Sequence, residues 1–137
     1  MLDGHLVEVK RATKNTLNQV RTVKYLPIAV CFESIGGADS WYVIPAHVVV
    51  ARVARKHRGQ HTENPFESAT LNLADFAAFK ITDPVANLRQ ATLAAITESD
   101  RYQELRDEMA TILTEARRLS MESRERVEAI LQRLGIK

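Results

Sequence analysis

The chain of 137 residues is poor in cysteine, glycine and aromatic residues, and it has no long apolar run. Its single cysteine, Cys31, excludes an internal disulfide, so we expect a cytoplasmic protein and not a disulfide-rich secreted one. No segment approaches the roughly 18 apolar residues that a membrane span needs, and the first residues lack the features of a secretion signal. We therefore expect no membrane partner.

The composition is that of an ordinary globular domain, with 45% hydrophobic and 26% charged residues. Wholesale disorder and collagen-like repeats are disfavoured by these fractions. The net charge of +2 conceals an uneven distribution, because residues 1–61 hold nine basic against four acidic side chains and the second half is net acidic. A basic first half suggests a surface that meets phosphates.

Hydrophobic periodicity predicts an alternation of strands and helices in the first half of the chain. The predicted elements are a strand at 5–9, a helix at 12–24, a strand at 25–32, a turn at 34–40, a strand at 41–44 and a helix from Pro45 to Gly59. A helix between the first two strands favours a parallel crossover, and a glycine turn favours an antiparallel pair after it. We expect an α/β (α+β) fold, with a mixed β-sheet, flanking helices and a C-terminal helical extension.

The second half is predicted to be mainly helical. Residues 71–81 are ambiguous between a strand and a short helix, whereas Asp83 and Pro84 suit the N-cap and first position of a helix. Apolar residues then recur at helical spacing from Tyr102 to Leu119 and again from Val127, before Gly135 ends the pattern. We divide the chain into a core at 1–81 and a helical extension at 82–137 that packs on the core or mediates dimerisation.

Glu8, Val9 and Lys10 form the first chemical motif. Successive strand residues point to opposite faces, so the side chains of Glu8 and Lys10 project from the same face. A carboxylate and the Val9 backbone carbonyl are oxygen ligands suited to Mg²⁺, and an ammonium group stabilises charge on a reacting phosphate. The alternative interpretation is a pair of solvated charges on an edge strand.

In these residues the sequence resembles the PD-(D/E)xK nuclease superfamily, which includes restriction endonucleases. The matching segments are Leu6–Lys10, the predicted helix with Gln19, the apolar strand to Phe32, and Trp41–Pro45. The resemblance covers roughly residues 3–60. It implies a restriction-endonuclease-like core and Mg²⁺-dependent hydrolysis of phosphodiesters in DNA, with Glu8 as an acidic metal ligand and Lys10 as the catalytic lysine.

The family pattern also needs an earlier acid, and Asp3 is the only one ahead of Glu8. An unbroken strand would aim Asp3 and Glu8 at opposite faces, although a bulge at Gly4 would re-aim Asp3 as a catalytic and metal-binding residue. Alternatively, a second polypeptide or a second copy supplies the missing strands and acid, or the site is a vestige that binds no metal. The sequence leaves these alternatives open.

A second polar cluster follows the helix predicted after Pro45, and it suits DNA because cations contact phosphates and amides contact base edges. The candidate DNA-binding residues are Lys14, Arg52, Arg55, Lys56, Arg58, Gln60 and His61. The alternative interpretation is an exposed helix C-terminus whose cations offset the helix dipole.

Together these motifs predict a Mg²⁺-dependent DNA endonuclease that acts as a homo-oligomer or with a second polypeptide. The rival hypothesis is a non-catalytic DNA-binding or assembly subunit with a nuclease-like fold. A third is a helical oligomerisation module of an unrelated complex.

Overall fold

A computed structural model describes residues 2, 4–12, 14–21, 28–33, 39–56, 59–61, 68–105, 107–108 and 121–136. The strands in these ranges are β1 (Glu8–Ala12), β2 (Thr16–Val20), β3 (Ile28–Glu33), β4 (Asp39–Ile44) and β5 (Ala69–Asn72). The α-helices are α1 (Ala46–Ala54), α2 (Pro84–Ser99) and α3 (Met121–Arg133), and 3₁₀ helices cover Leu73–Phe79 and Asp100–Tyr102. Residues 103–105 and 107–108 are also helical.

The main sheet has three strands in the order β1-β3-β4. β1 and β3 are parallel, with Glu8 opposite Ile28, and β3 and β4 are antiparallel, with Ile28 opposite Ile44. The predicted mixed sheet with flanking helices is confirmed, including a parallel pair followed by an antiparallel one.

The helix predicted at 12–24 is wrong where the structure describes it, because residues 16–20 form β2, which pairs antiparallel with β5. The prediction used Leu17, Val20 and Val23, whose three-residue spacing fits a helix, and Val23 lies outside the described residues. In the structure the side chains of Leu17 and Val20 are both buried, because the β2–β5 register shifts between them and Gln19 adopts a φ of 54°. A bulge adds one residue to a strand, so side chains three apart reach the same face.

Other element boundaries differ by a few residues. β1 begins at Glu8, and His5 forms only an isolated bridge with Leu2. Pro45 is the N-cap of α1, which ends at Ala54 and not at Gly59. The ambiguous segment 71–81 contains the end of β5 followed by a 3₁₀ helix, whose first turn is capped where the Asn72 side chain accepts a hydrogen bond from the Ala74 N–H.

One face of the main sheet packs against α1 and the β2–β5 pair. Ala12 and Ile44 lie on this face and belong to the same buried cluster as Val50 and Leu71. Val43 precedes Ile44 in β4, so its side chain points to the opposite face of the sheet, where it is also buried. Helix α2 contacts β4. Both faces of the sheet are thus covered at β4, as expected of a layered fold.

The helical segments after α2 share the core of the first half. Leu105, Val127 and Leu131 are fully buried in the cluster that contains α1, which confirms the apolar stripe at these positions. Ion pairs Arg126–Glu108 (2.9 Å) and Arg133–Glu104 join α3 to residues 103–108. The segments at 57–58, 62–67 and 109–120 lie outside the described residues.

The predicted helix boundaries at Asp83 and Gly135 are confirmed. Asp83 is the N-cap of α2, with Pro84 at the first helical position. Beyond α3, the Ile136 N–H donates to the Leu131 carbonyl and the Gly135 N–H donates to the Gln132 carbonyl, while Gly135 has a φ of 72°. This is a Schellman motif, in which glycine supplies the left-handed residue. Among the described helices, none has the length and apolarity that crossing a bilayer requires.

Candidate metal and nucleic-acid site

Glu8 and Lys10 lie on the same face of β1, as the strand alternation predicts. Lys10 Nζ is 3.1 Å from Glu8 Oε1, and the two side chains are only 17% and 24% exposed for Lys10 and Glu8 respectively. Val9, between them, points to the opposite face and is 65% exposed. The carboxylate and the ammonium group therefore form a half-buried ion pair.

The ion pair lies at the edge of the buried side of the sheet. Ala12, two residues after Lys10, is 2% exposed within the core. Through β3, Glu8 is in register with Ile44 and Lys10 with Tyr42, and both of these β4 residues pack in or against the same core. An apolar flank lowers the effective dielectric, so charges at this position interact more strongly than at an exposed surface.

The donor set at Glu8 fits a magnesium ion only in part. Mg²⁺ uses one or two carboxylates and completes its shell with water and substrate phosphates. Glu8 supplies one carboxylate, and the carbonyl of Val9 is the other ligand predicted in this chain. Within the described ranges, no three His, Cys, Asp or Glu side chains cluster as metal ligands, and the predicted ligand Asp3 lies outside those ranges. A magnesium site here requires a further oxygen ligand.

Arg52 and Arg55 meet at a second site, an open cleft of about 490 Å³ between α1 and the 3₁₀ helix at Leu73–Phe79. Asp75 and Phe76 form the opposite wall. Both arginines are exposed, and Arg55 donates to the Ala51 carbonyl (3.0 Å) and lies 3.7 Å from a Glu128 carboxylate oxygen. The cleft presents two guanidinium groups, the type of side chain that binds phosphate best.

The other predicted DNA-binding residues are dispersed. Lys14 is exposed in the β1–β2 loop, and Lys56 lies two residues after the end of α1 and is half-buried. Gln60 Oε1 accepts a hydrogen bond from the Gln19 N–H (2.6 Å), so this side chain holds the β2 bulge. His61 is exposed with a φ of 58°, and Arg58 lies outside the described residues.

A third cluster, centred on His47, was missed by the sequence analysis. His47 Nδ1 is 3.3 Å from Ser99 Oγ, and His47 Nε2 is 3.4 Å from Glu98 Oε1. The ring also packs on Tyr102, with centroids 4.4 Å apart. This cluster links the first turn of α1 to the last turn of α2, and no local spacing could reveal it because its members are about fifty residues apart.

Burial lowers the pKa of His47 below its ordinary value, against the opposing charge and hydrogen bond of Glu98. The imidazole is therefore neutral near pH 7, with one nitrogen able to donate to Glu98 and the other able to accept from the Ser99 hydroxyl. Ser99 is 1% exposed, so its hydroxyl group cannot meet a substrate. The cluster is a structural connection between two helices.

Comparisons with protein-family models, with curated proteins and with solved structures found no match for this chain.

Proposed function

We propose that this protein is a Mg²⁺-dependent DNA endonuclease of the PD-(D/E)xK type. The observation that supports this proposal is the half-buried pair of Glu8 and Lys10 on one face of a mixed sheet. A pair of merely solvated charges would extend into water, whereas these two groups converge at 3.1 Å beside an apolar core.

The proposed mechanism assigns separate tasks to the two side chains. Glu8 would hold Mg²⁺ through its carboxylate, and a bound ion would supply Lewis-acid activation for phosphodiester hydrolysis. Lys10 donates a hydrogen bond to a non-bridging phosphate oxygen and stabilises the negative charge that develops there. The second acidic ligand would be Asp3 or an acid of a partner chain.

The Arg52–Arg55 cleft contributes to DNA binding in the same proposal. Arg52 is exposed and Arg55 is held by Ala51 and Glu128, so the two guanidinium groups differ in freedom to reach a phosphate. A phosphate contact by Arg52 adds affinity that falls with salt, since each neutralised phosphate releases counterions. With DNA as its substrate and a single cysteine in its chain, we place the protein in the cytoplasm.

The direct test is cleavage of supercoiled plasmid by purified protein with Mg²⁺ or with EDTA. We expect cleavage only with Mg²⁺, and a loss of about 100-fold or more in Lys10→Ala, since electrostatic stabilisation of a transition state has this size. Arg101→Ala is the matched control, because Arg101 is an exposed cation in the 3₁₀ turn at Asp100–Tyr102. Equal cleavage by wild type and Lys10→Ala would refute the mechanism.

The second candidate is a metal-independent DNA-binding subunit, favoured by the two guanidinium groups of the cleft. Fluorescence anisotropy with labelled duplex DNA in EDTA distinguishes the candidates. This candidate predicts binding with a steep salt dependence, weakened by Arg52→Ala, together with no cleavage in any metal. Binding that requires a divalent ion would exclude it.

A further inference from the structure

β1 lies at the edge of the main sheet within the described part of the chain. It pairs with β3 alone, whereas the other edge strand, β4, is covered by residues 80–81: Tyr42 bridges Lys80 and the Ile81 N–H donates to the Trp41 carbonyl. Next to this edge, Leu6 and Val9 are 57% and 65% exposed. An edge strand presents unpaired backbone N–H and C=O groups, which form a template for another strand.

We propose that β1 of a second copy of this chain pairs antiparallel with β1 across a two-fold axis at Val9. In this register Glu8 lies opposite Lys10 of the partner subunit, and Lys10 lies opposite Glu8 of the partner subunit. Such an interface is isologous, so both charge pairs form at once. Axes centred on Glu8 or on Lys10 would instead place like charges directly opposite each other, which is destabilising.

The opposite face of β1 supports the same register. Val9 would lie against Val9 of the partner subunit, where their β-carbons are about 5 Å apart. Val7 and Val9 also line an open, mainly apolar groove of about 370 Å³ between β1 and α2, which Trp41 and Leu88 complete. A second β1 strand would cover exposed apolar surface beside this groove, and removing apolar surface from water favours association.

The pairing also completes the site, a consequence that rests on the proposed function. Glu8 of the partner subunit would lie on the same face as Glu8 and diagonal to it, with the two residues about 7–8 Å apart and their β-carbons somewhat closer. Two glutamates at this separation reach a common divalent ion near the two-fold axis. The further oxygen ligand that the described residues lack would thus be the same side chain of the second copy.

The first test measures oligomeric state by sedimentation velocity at micromolar concentrations. We expect a wild-type dimer, and folded monomers for Glu8→Lys alone and Lys10→Glu alone, because each variant places like charges opposite each other. An equimolar mixture of the two variants restores opposite charges and should recover at least half of the wild-type dimer. Lys14→Glu is the control with the same charge change as Lys10→Glu, outside the paired residues, and should remain dimeric.

Circular dichroism verifies that each variant is folded. A monomeric wild type, single variants that stay dimeric, or a mixture of folded variants that stays monomeric would each overturn the strand pairing. Recovery of the dimer only in the mixture would support it, because misfolding of either variant cannot produce that result.

The second test titrates Mn²⁺ into the wild-type dimer by calorimetry, and we expect one ion per two chains. One ion per chain in a dimer would overturn the shared site. A dimer that binds no Mn²⁺ and does not cleave DNA would refute the proposed function and the shared ion while leaving the strand pairing intact. Cleavage by a monomeric protein would refute the pairing and leave the proposed function standing.

Discussion

The Glu8–Lys10 pair and the His47 cluster both join a glutamate to a basic side chain, yet they differ in how the chain assembles them. Glu8 and Lys10 are two residues apart on one strand and partly open to solvent. His47 is buried, and its partners come from the far end of another helix. The Glu8–Lys10 pair is accessible to a ligand, so it suits a reactive site. The His47 cluster is buried, so it suits a connection between two helices.

The largest effect that separates the two sites is expected for His47→Ala. The substitution removes a buried ring that packs on Tyr102 and leaves the buried Ser99 hydroxyl without its partner. We expect the free energy of unfolding to fall by about 2–4 kcal/mol. Urea denaturation followed by circular dichroism measures this loss, and His47→Gln, which retains hydrogen-bonding groups, should lose less. A change below about 0.5 kcal/mol in His47→Ala would contradict the structural role.

A smaller effect is the dependence of stability on pH. Because the pKa of His47 is lower in the folded chain than its ordinary 6.5, folding favours the neutral ring. Its stabilising contribution is complete above about pH 6.5 and is lost as the pH falls from there through the folded pKa. Urea midpoints at about pH 7.5 and pH 5.5 should therefore differ more in wild type than in His47→Gln. Equal pH dependence in the two proteins would argue against a buried neutral histidine.

The smallest effect on stability is expected at the β1 pair. Glu8→Gln keeps the shape of the side chain but removes the charge that faces Lys10 at 3.1 Å. Since both groups retain access to water, we expect a loss of about 1 kcal/mol or less in the free energy of unfolding. The same variant should abolish Mg²⁺-dependent cleavage. A stability loss as large as that of His47→Ala would show that the β1 pair has a structural role like that of the His47 cluster. It would contradict the proposed difference between the two sites.

The sequence predicted features that depend on local rules. The shared face of Glu8 and Lys10 follows from strand alternation, and the helix boundaries at Asp83 and Gly135 follow from the backbone preferences of Pro84 and glycine. The mixed sheet followed from the order of apolar segments and turns. In each case the determining residues are neighbours in the chain.

Features that depend on distant residues were missed or predicted wrongly. β2 was predicted to be helical because a bulge gives its buried residues helical spacing, and only pairing with β5 reveals the strand. The His47 cluster needs α1 and α2 to be packed together first. The source of a second acidic ligand for Glu8 is likewise a question of tertiary or quaternary structure, which alternation along β1 cannot answer.

The bulge at Gln19 also determines how the segment after α1 is attached. Its extra residue turns one backbone N–H away from the neighbouring strand, and the side chain of Gln60 accepts that hydrogen bond. Deleting Gln19 would give β2 regular alternation and keep Leu17 and Val20 on one face. It would also remove this hydrogen bond from the loop of residues 59–61, leaving the bond from the Gln60 N–H to the Ser68 carbonyl. The irregular residue in β2 thus gives a polar loop a second attachment to the sheet.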